Sequence, residues 1–298
     1  MVSQAYDSMF DPGLPGCSAA SISGQQCGGA IRLTVGGTLT LDGTADVSGG
    51  PAERVSGSPG GGAGGALSLA AGRFVGAGTI RANGGNRDNY DGPGGRVAIR
   101  LSARGADFSA FTGTIEAGGG SWWRGGTNVL HDASAGTVYL ATAAERDRRS
   151  GCVRIAMDPL NIAYILGTKD KKTLHDNTNT TEMVSLGFGG DRLQDYKRVR
   201  YVVSDYGRAA VNTNFAAHSV TIADLDSFLD LEGNELSVDE FFYATDDGAD
   251  GLKMRQLGAG THSIASLEER GVPTVYDSSP GATGRIVVRG RETLMLLR

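Results

Sequence analysis

Long apolar runs, clustered metal-binding residues and surplus positive charge are all missing from this chain of 298 residues. No stretch reaches the roughly 18 consecutive apolar residues of a membrane-crossing helix, so a helical span is excluded. With only 8 prolines and no glycine at every third position, a collagen triple helix is excluded as well. No Cys-x-x-Cys or His-x-x-x-His spacing occurs, which leaves a zinc site without support. A net charge of −5 argues against a nucleic-acid partner. Helix signals are few, with Ala265-Ser-Leu-Glu-Glu-Arg270 offering one turn or two. Hydrophobic residues at 40% and charged residues at 20% nevertheless describe a folded chain, not a disordered one.

Glycine is what the chain has in excess. Of 47 glycines, 32 fall in residues 1–150 and 15 in residues 151–298. They punctuate a repeat. One unit runs Gly28-Gly-Ala-Ile-Arg-Leu-Thr-Val35, Gly-Thr-Leu-Thr-Leu, then Gly43-Thr-Ala-Asp-Val47. A second runs Gly64-Gly-Ala-Leu-Ser-Leu69, then Gly78-Thr-Ile-Arg-Ala82. A third runs Gly94-Gly-Arg-Val-Ala-Ile-Arg-Leu101, then Gly113-Thr-Ile-Glu-Ala117, and a fourth begins at Ala135-Gly-Thr-Val-Tyr-Leu140 and breaks off. The Gly-Thr landmarks at 43, 78 and 113 are 35 residues apart twice over.

Apolar residues alternate within each unit (Ile31, Leu33, Val35, then Leu39 and Leu41), which predicts short strands. Gly43, Gly78 and Gly113 fall between strands, where a sharp corner calls for backbone angles that glycine adopts cheaply. Fixed strands with links of variable length predict an all-β fold, a parallel β-helix or β-solenoid with glycine-rich links between its rungs. A β-sandwich with glycine-rich hairpins explains the alternation but not the 35-residue spacing. The links, such as 49–65 and 84–95, are either flexible loops or polyproline-type helices packed side by side. Residues 1–27 read as a lead-in, 28–142 as the repeats, 143–215 as a polar insertion or connector and 216–298 as further rungs. In the second half, strand candidates fall at 198–203, 218–222, 228–238, 260–264 and 284–289.

The segment 28–43, with Gly78-Thr-Ile-Arg-Ala-Asn-Gly-Gly85, resembles glycine-rich repeats in large exported bacterial surface proteins. Ala5-Tyr-Asp-Ser8 and Pro12-Gly-Leu14 resemble a degraded lead-in to that repeat. In the tail, Leu229-Asp-Leu-Glu-Gly-Asn-Glu-Leu-Ser-Val238, Leu257–Ile264, Val275-Tyr-Asp-Ser-Ser279 and Gly284–Val288 resemble the terminal rungs of autotransporter passenger domains. The resemblance implies a right-handed parallel β-helix on or outside a bacterial cell, with an adhesive or structural role, and it brings no catalytic residue. The start, Met1-Val-Ser-Gln-Ala-Tyr-Asp7, lacks the basic-then-apolar pattern of a secretory signal. The chain is therefore cytoplasmic, or processed, or the end of a longer exported protein.

Candidate binding residues are Trp122, Trp123 and Arg124, where a flat aromatic beside a cation suits sugar stacking or protein docking. The polar link 86–91 adds Asp88, Tyr90 and Asp91, because recognition concentrates on links carried by a rigid scaffold. Asp246, Asp247 and Asp250 offer the several oxygens calcium requires, although their spacing matches no EF-hand and an acidic solvated face explains them better. No other cofactor is implied. Cys17 and Cys27 lie close enough to close a short disulfide loop in an oxidising compartment, and Cys152 stands alone. No Gly-x-Ser-x-Gly, Walker or His-Glu-x-x-His motif occurs. His131-Asp132, Arg124 and Asp91 could be assembled into a polysaccharide-cleaving group of the kind β-helices host. The leading expectation is a non-enzymatic extracellular structural or adhesive module with no membrane span. It self-associates, and one version stacks head to tail into a fibre on the open strand edges at its ends. A surface glycan or protein is a possible further partner, and a carbohydrate-active protein is the alternative.

Overall fold

The computed structural model describes residues 7–16, 26–51, 60–86, 91–123, 130–148, 150–156, 184–186, 196–205, 207–211, 213–224, 227–231, 234–246, 252–269, 274–277 and 285–288. The chain is mostly β. Its frame is one long mixed sheet of β1 (Ala30–Thr40), β3 (Ala66–Val75), β5 (Arg96–Leu101), β9 (Thr137–Ala141), β10 (Gly151–Ile155), β12 (Val199–Val203), β14 (Phe215–Ile222), β16 (Leu236–Asp246) and β17 (Leu252–Leu257), hydrogen-bonded in that order. β1 to β9 are parallel, as are β10 to β16; the β9–β10 and β16–β17 pairs are antiparallel. A short strand, β18 (Gly260–His262), also pairs with β16. Just beyond it lies a short helix, Ile264–Glu269, on the segment read as one turn or two.

A second, smaller sheet contains β2 (Thr44–Asp46), β4 (Thr79–Arg81) and β6 (Thr114–Glu116), parallel and aligned Thr44↔Thr79↔Thr114. The Gly-Thr spacing is thus a register. Side chains bond at the same interval: Thr114 Oγ1 to Thr79 Oγ1 at 3.2 Å, and Gly118 N–H to Asn83 Oδ1 at 2.8 Å. Between the main and small sheets lies a first core of Leu67, Leu69, Phe74, Ile80, Val97, Ile99 and Val138 with their neighbours.

A second core lies on the opposite face of the main sheet. Val97, Ile99, Val138 and Leu140 face the first core, whereas Ala98, Tyr139 and Ala141 face the second. Across the antiparallel joint Val153 aligns with Tyr139, and Val153 and Ile155 belong to the second core. From there Tyr201, Val203, Val220, Ile222 and Phe241 bury that face. Leu229 of β15 (Phe228–Asp230) and Val211 of β13 (Arg208–Val211) complete it from a third sheet, ordered β11 (Val184–Leu186), β13, β15, β20 (Arg285–Val288), β19 (Thr274–Asp277). Buried side is exchanged where the repeat breaks off, at α1 (Ala143–Asp147). The lead-in covers the same second-core face of β5 and β9: Met9 is fully buried, and the Phe10 ring packs edge-on to Tyr139 at 5.0 Å.

The glycine-rich links are packed side by side. Outbound arms 47–50, 82–85 and 117–120 alternate with inbound arms 61–65, 92–95 and 133–136. Gly62 and Gly65, three residues apart, both donate to the outbound arm 47–50, at Gly50 and Val47, while Gly64 donates to Pro93 of the next inbound arm. Gly92 and Gly95 donate to Gly85 and Ala82, with Gly94 donating to Ser134; Ala133 and Gly136 donate to Gly120 and Ala117. A period of three is that of polyproline-type helices, whose N–H groups have no internal partners and must find them in neighbours. Such packing leaves no room for side chains. A Cβ on Gly65, Gly95 or Gly136 would strike the carbonyl oxygen of Gly29, Gly65 or Gly95 in turn.

The corner glycines need a corrected explanation. Gly43, Gly78 and Gly113 do not have left-handed backbone angles; among described glycines those belong to Gly76, Gly105, Gly151 and Gly260. Gly78 and Gly113 are instead required because a Cβ would strike the carbonyls of Gly43 and Gly78. The corner's positive φ, 118°, falls two residues earlier, at Gly76.

Candidate functional site

Three successive links, 51–60, 86–91 and 121–132, leave the arms at the same edge, each running from an outbound arm to the next inbound one. Their stems adjoin. A Cβ on Gly120 would strike the carbonyl of Gly85 and lie 3.0 Å from Asn86 Oδ1, and Gly120 N–H donates to Gly92 at 2.9 Å. The two binding elements read from sequence, the tryptophan pair and the 86–91 link, therefore rise from neighbouring positions. The tryptophans lie on β7 (Ser121–Trp123), which pairs with β8 (Leu130–Asp132) as an antiparallel ribbon aligning Trp122 with His131. Asp91 is half-buried at the inner end of its link. Arg124, Asp88 and Tyr90 lie outside the described residues.

A cleft of about 160 Å³ opens where the first core runs out. The small sheet stops at β6 because the fourth repeat turns into α1 instead of supplying another strand. Thr114, Ile115 and Glu116 of that open edge line the cleft with Val138, Arg154 and Asp205. Arg154 Nη2 reaches the Ile115 carbonyl at 3.5 Å. Glu116 accepts from Arg81 at 3.3 Å and from Asn83 at 3.1 Å, so its charge is already matched within its own sheet. Asp205 has a φ of 52°, which aspartate tolerates better than most residues, and its N–H donates to Asp224 Oδ2 at 2.6 Å. Drug-sized ligands occupy pockets of about 300 Å³ or more, so the cleft suits water or a small group. No motif marks it, because it depends on where the small sheet ends and on how β10 joins the main sheet.

Past the cleft, on the same face, Cys152 aligns with Leu140 on one side and Arg200 on the other. Burial pushes its thiol pKa up, against the pull of the Arg200 and Arg154 charges. Glu145 ion-pairs with Arg200 at 2.7 Å and accepts from the Thr142 N–H and Oγ1, closing the start of α1. Burial raises the Glu145 pKa, but those hydrogen bonds outweigh it and hold the carboxyl below its usual range.

Of the remaining candidates, Asp246 ends β16 opposite Leu252, while Asp247 and Asp250 lie outside the described residues. Among the described residues no three His, Cys, Asp or Glu side chains converge. Cys27 is disulfide-bonded and Cys152 is a free thiol; Cys17 lies outside the described residues. No helix among the described residues is long and apolar enough to cross a membrane. No protein family, no curated protein and no solved structure matches the chain.

Proposed function

We propose that the chain is a non-enzymatic extracellular β-solenoid, a right-handed parallel β-helix through its glycine-rich repeats, that displays recognition links from a rigid stack and self-associates through the ends of its sheet. The observation that carries this reading is the alignment Thr44↔Thr79↔Thr114, which holds successive links at one edge. Fixed strands with variable links are what a display scaffold requires. The disulfide at Cys27 fits an oxidising compartment. The partner class is a surface glycan or protein met by Trp122 and Trp123, with Arg124, Asp88, Tyr90 and Asp91 on adjoining links; calcium at Asp246, Asp247 and Asp250 belongs to the same proposal. A glycan array on the purified chain tests it. Binding lost in Trp122→Ala/Trp123→Ala at unchanged thermal stability is expected, and no binding to any glycan or surface extract sinks the adhesive role.

A second reading is a carbohydrate-active protein, favoured by the adjoining stems of the links that carry Asp91 and His131. Cleavage of an acidic polysaccharide, abolished by Asp91→Ala or by His131→Ala, would establish it over the first.

A further inference from the structure

The main sheet has two open edges, β1 and β17, and they differ in kind. β17 exposes Lys253, Met254, Arg255 and Gln256, and cationic side chains on an edge strand oppose the addition of another strand. β1 is eleven residues long and exposed along nearly all of its length, with Ile31 and Leu33 each 41% exposed on the first-core side. Its glycines are a second sign. In the inner repeats Gly65, Gly72 and Gly78 lie against carbonyls of Gly29, Gly37 and Gly43, so a side chain is excluded. At Gly29, Gly36, Gly37 and Gly43 a Cβ would meet nothing within 4 Å. Of these, Gly36 and Gly37 lie within β1, where glycine costs conformational entropy, and among the described residues nothing packs against them to offset it. A backbone arriving from outside would.

We propose that β1 is a homodimerisation strand, which a second copy of this chain meets antiparallel about a dyad at Gly36. The strand is self-complementary in that arrangement. Gly29 and Gly43 lie seven residues either side of Gly36, so each faces the other across the dyad. Ile31 faces Leu41 and Leu33 faces Leu39, covering the apolar ends on the first-core side; Thr34 faces Thr38 on the other. Arg32, whose Nη1 pairs with Asp11 of its own chain, faces Thr40 and lies diagonal to Asp42, about 7–8 Å away in such a pair. No like charges oppose one another. The interface is isologous and closes at two chains, whereas pairing β1 with β17 would bring Lys253 and Arg255 towards Arg32 and continue into a filament. The inference thus goes beyond the proposed function by giving its self-association a strand, a register and a closed stoichiometry.

In a Cys152→Ser background, chains carrying Thr34→Cys and chains carrying Thr38→Cys are oxidised separately and as a mixture. Disulfide-linked dimers are expected in the mixture and not with either chain alone. Light scattering should give twice the 30.8 kDa of the chain, reduced to one chain by Leu33→Lys at unchanged circular dichroism. A monomeric wild type, open-ended filaments, or a dimer whose mixture fails to cross-link would each overturn the proposal. These outcomes are independent of glycan binding.

Discussion

Asp11 Oδ1 accepts a hydrogen bond from the Arg100 guanidinium at 2.7 Å, joining the lead-in to a strand 89 residues away. The same oxygen accepts from Ser68 at 2.8 Å, and Oδ2 accepts from Arg32 at 3.1 Å. One carboxylate therefore ties three consecutive strands of the main sheet, while Met9 and Phe10 beside it close the second-core face. Burial raises the Asp11 pKa, but the hydrogen bonds from Arg100 and Ser68 and the nearby positive charge outweigh it, so the carboxyl sits below its ordinary value.

A depressed folded-state pKa stabilises the fold above the unfolded pKa, and this stabilisation is lost as pH falls through the folded value. Asp11→Asn should cost about 1 kcal/mol at neutral pH, a discounted figure because the carboxylate is partly exposed. It should also flatten the fall in stability between about pH 5 and pH 2. Urea unfolding across that range measures both effects. An unchanged acid limb in the variant would remove Asp11 as its source.

Gly78→Ala and Gly43→Ala make a matched pair at equivalent corners. The first drives a methyl into the carbonyls of Gly43 and Leu41, and the second places one in open space. Gly78→Ala should cost about 3 kcal/mol or prevent folding, while Gly43→Ala should stay within about 0.5 kcal/mol of the wild-type monomer. Thermal melts at low protein concentration separate them.

The Cys152 thiol should resist modification. Half-buried and with its pKa pushed up by burial, it should react with iodoacetamide at about pH 8 far more slowly than a free thiol, and at the ordinary rate in urea. Mass spectrometry of timed samples follows the adduct. Rapid labelling of the folded chain would contradict its placement on β10.

Tyr139 is pushed up to about 12 by burial, aided by the Glu145 charge, and its hydroxyl donates to the Ser150 carbonyl. Ultraviolet titration of the folded wild type should show a phenol that ionises above the ordinary tyrosine value and returns to it on unfolding. In Tyr139→Phe that late-ionising phenol disappears, and stability falls by about 1 kcal/mol from the lost hydrogen bond.

What could be read from residues alone was what depends on period. The Gly-Thr landmarks became the small sheet's register, and the candidates at 198–203, 218–222 and 284–289 contain β12, most of β14 and β20. The candidate at 228–238 is divided: β15 belongs to the third sheet and the start of β16 to the main one. The two-sided core was not legible, because alternation shows that a strand has two faces and not which is covered. Gly151-Cys-Val-Arg-Ile155 lies in the stretch read as a polar connector, yet it carries the main sheet across the antiparallel joint. The cleft followed from that joint and stayed hidden with it. For the tryptophans, sequence identified the link, while their nearness to the 86–91 link needed the stacking of Gly85 and Gly120.

The change of buried face bears on how β9 finds its place. A strand with one covered face is held in alignment because a one-residue slip would turn its apolar set out to water. β9 has no such safeguard: Val138 and Leu140 face one core and Tyr139 and Ala141 the other, so a slip would exchange apolar for apolar. Its alignment depends instead on polar pins at its first residue and at its middle one. Arg96 Nη1 donates to Thr137 Oγ1 at 3.3 Å, and Tyr139 donates to Ser150 beyond the turn. In the middle of a largely apolar sheet, a few hydrogen bonds decide which residue meets which.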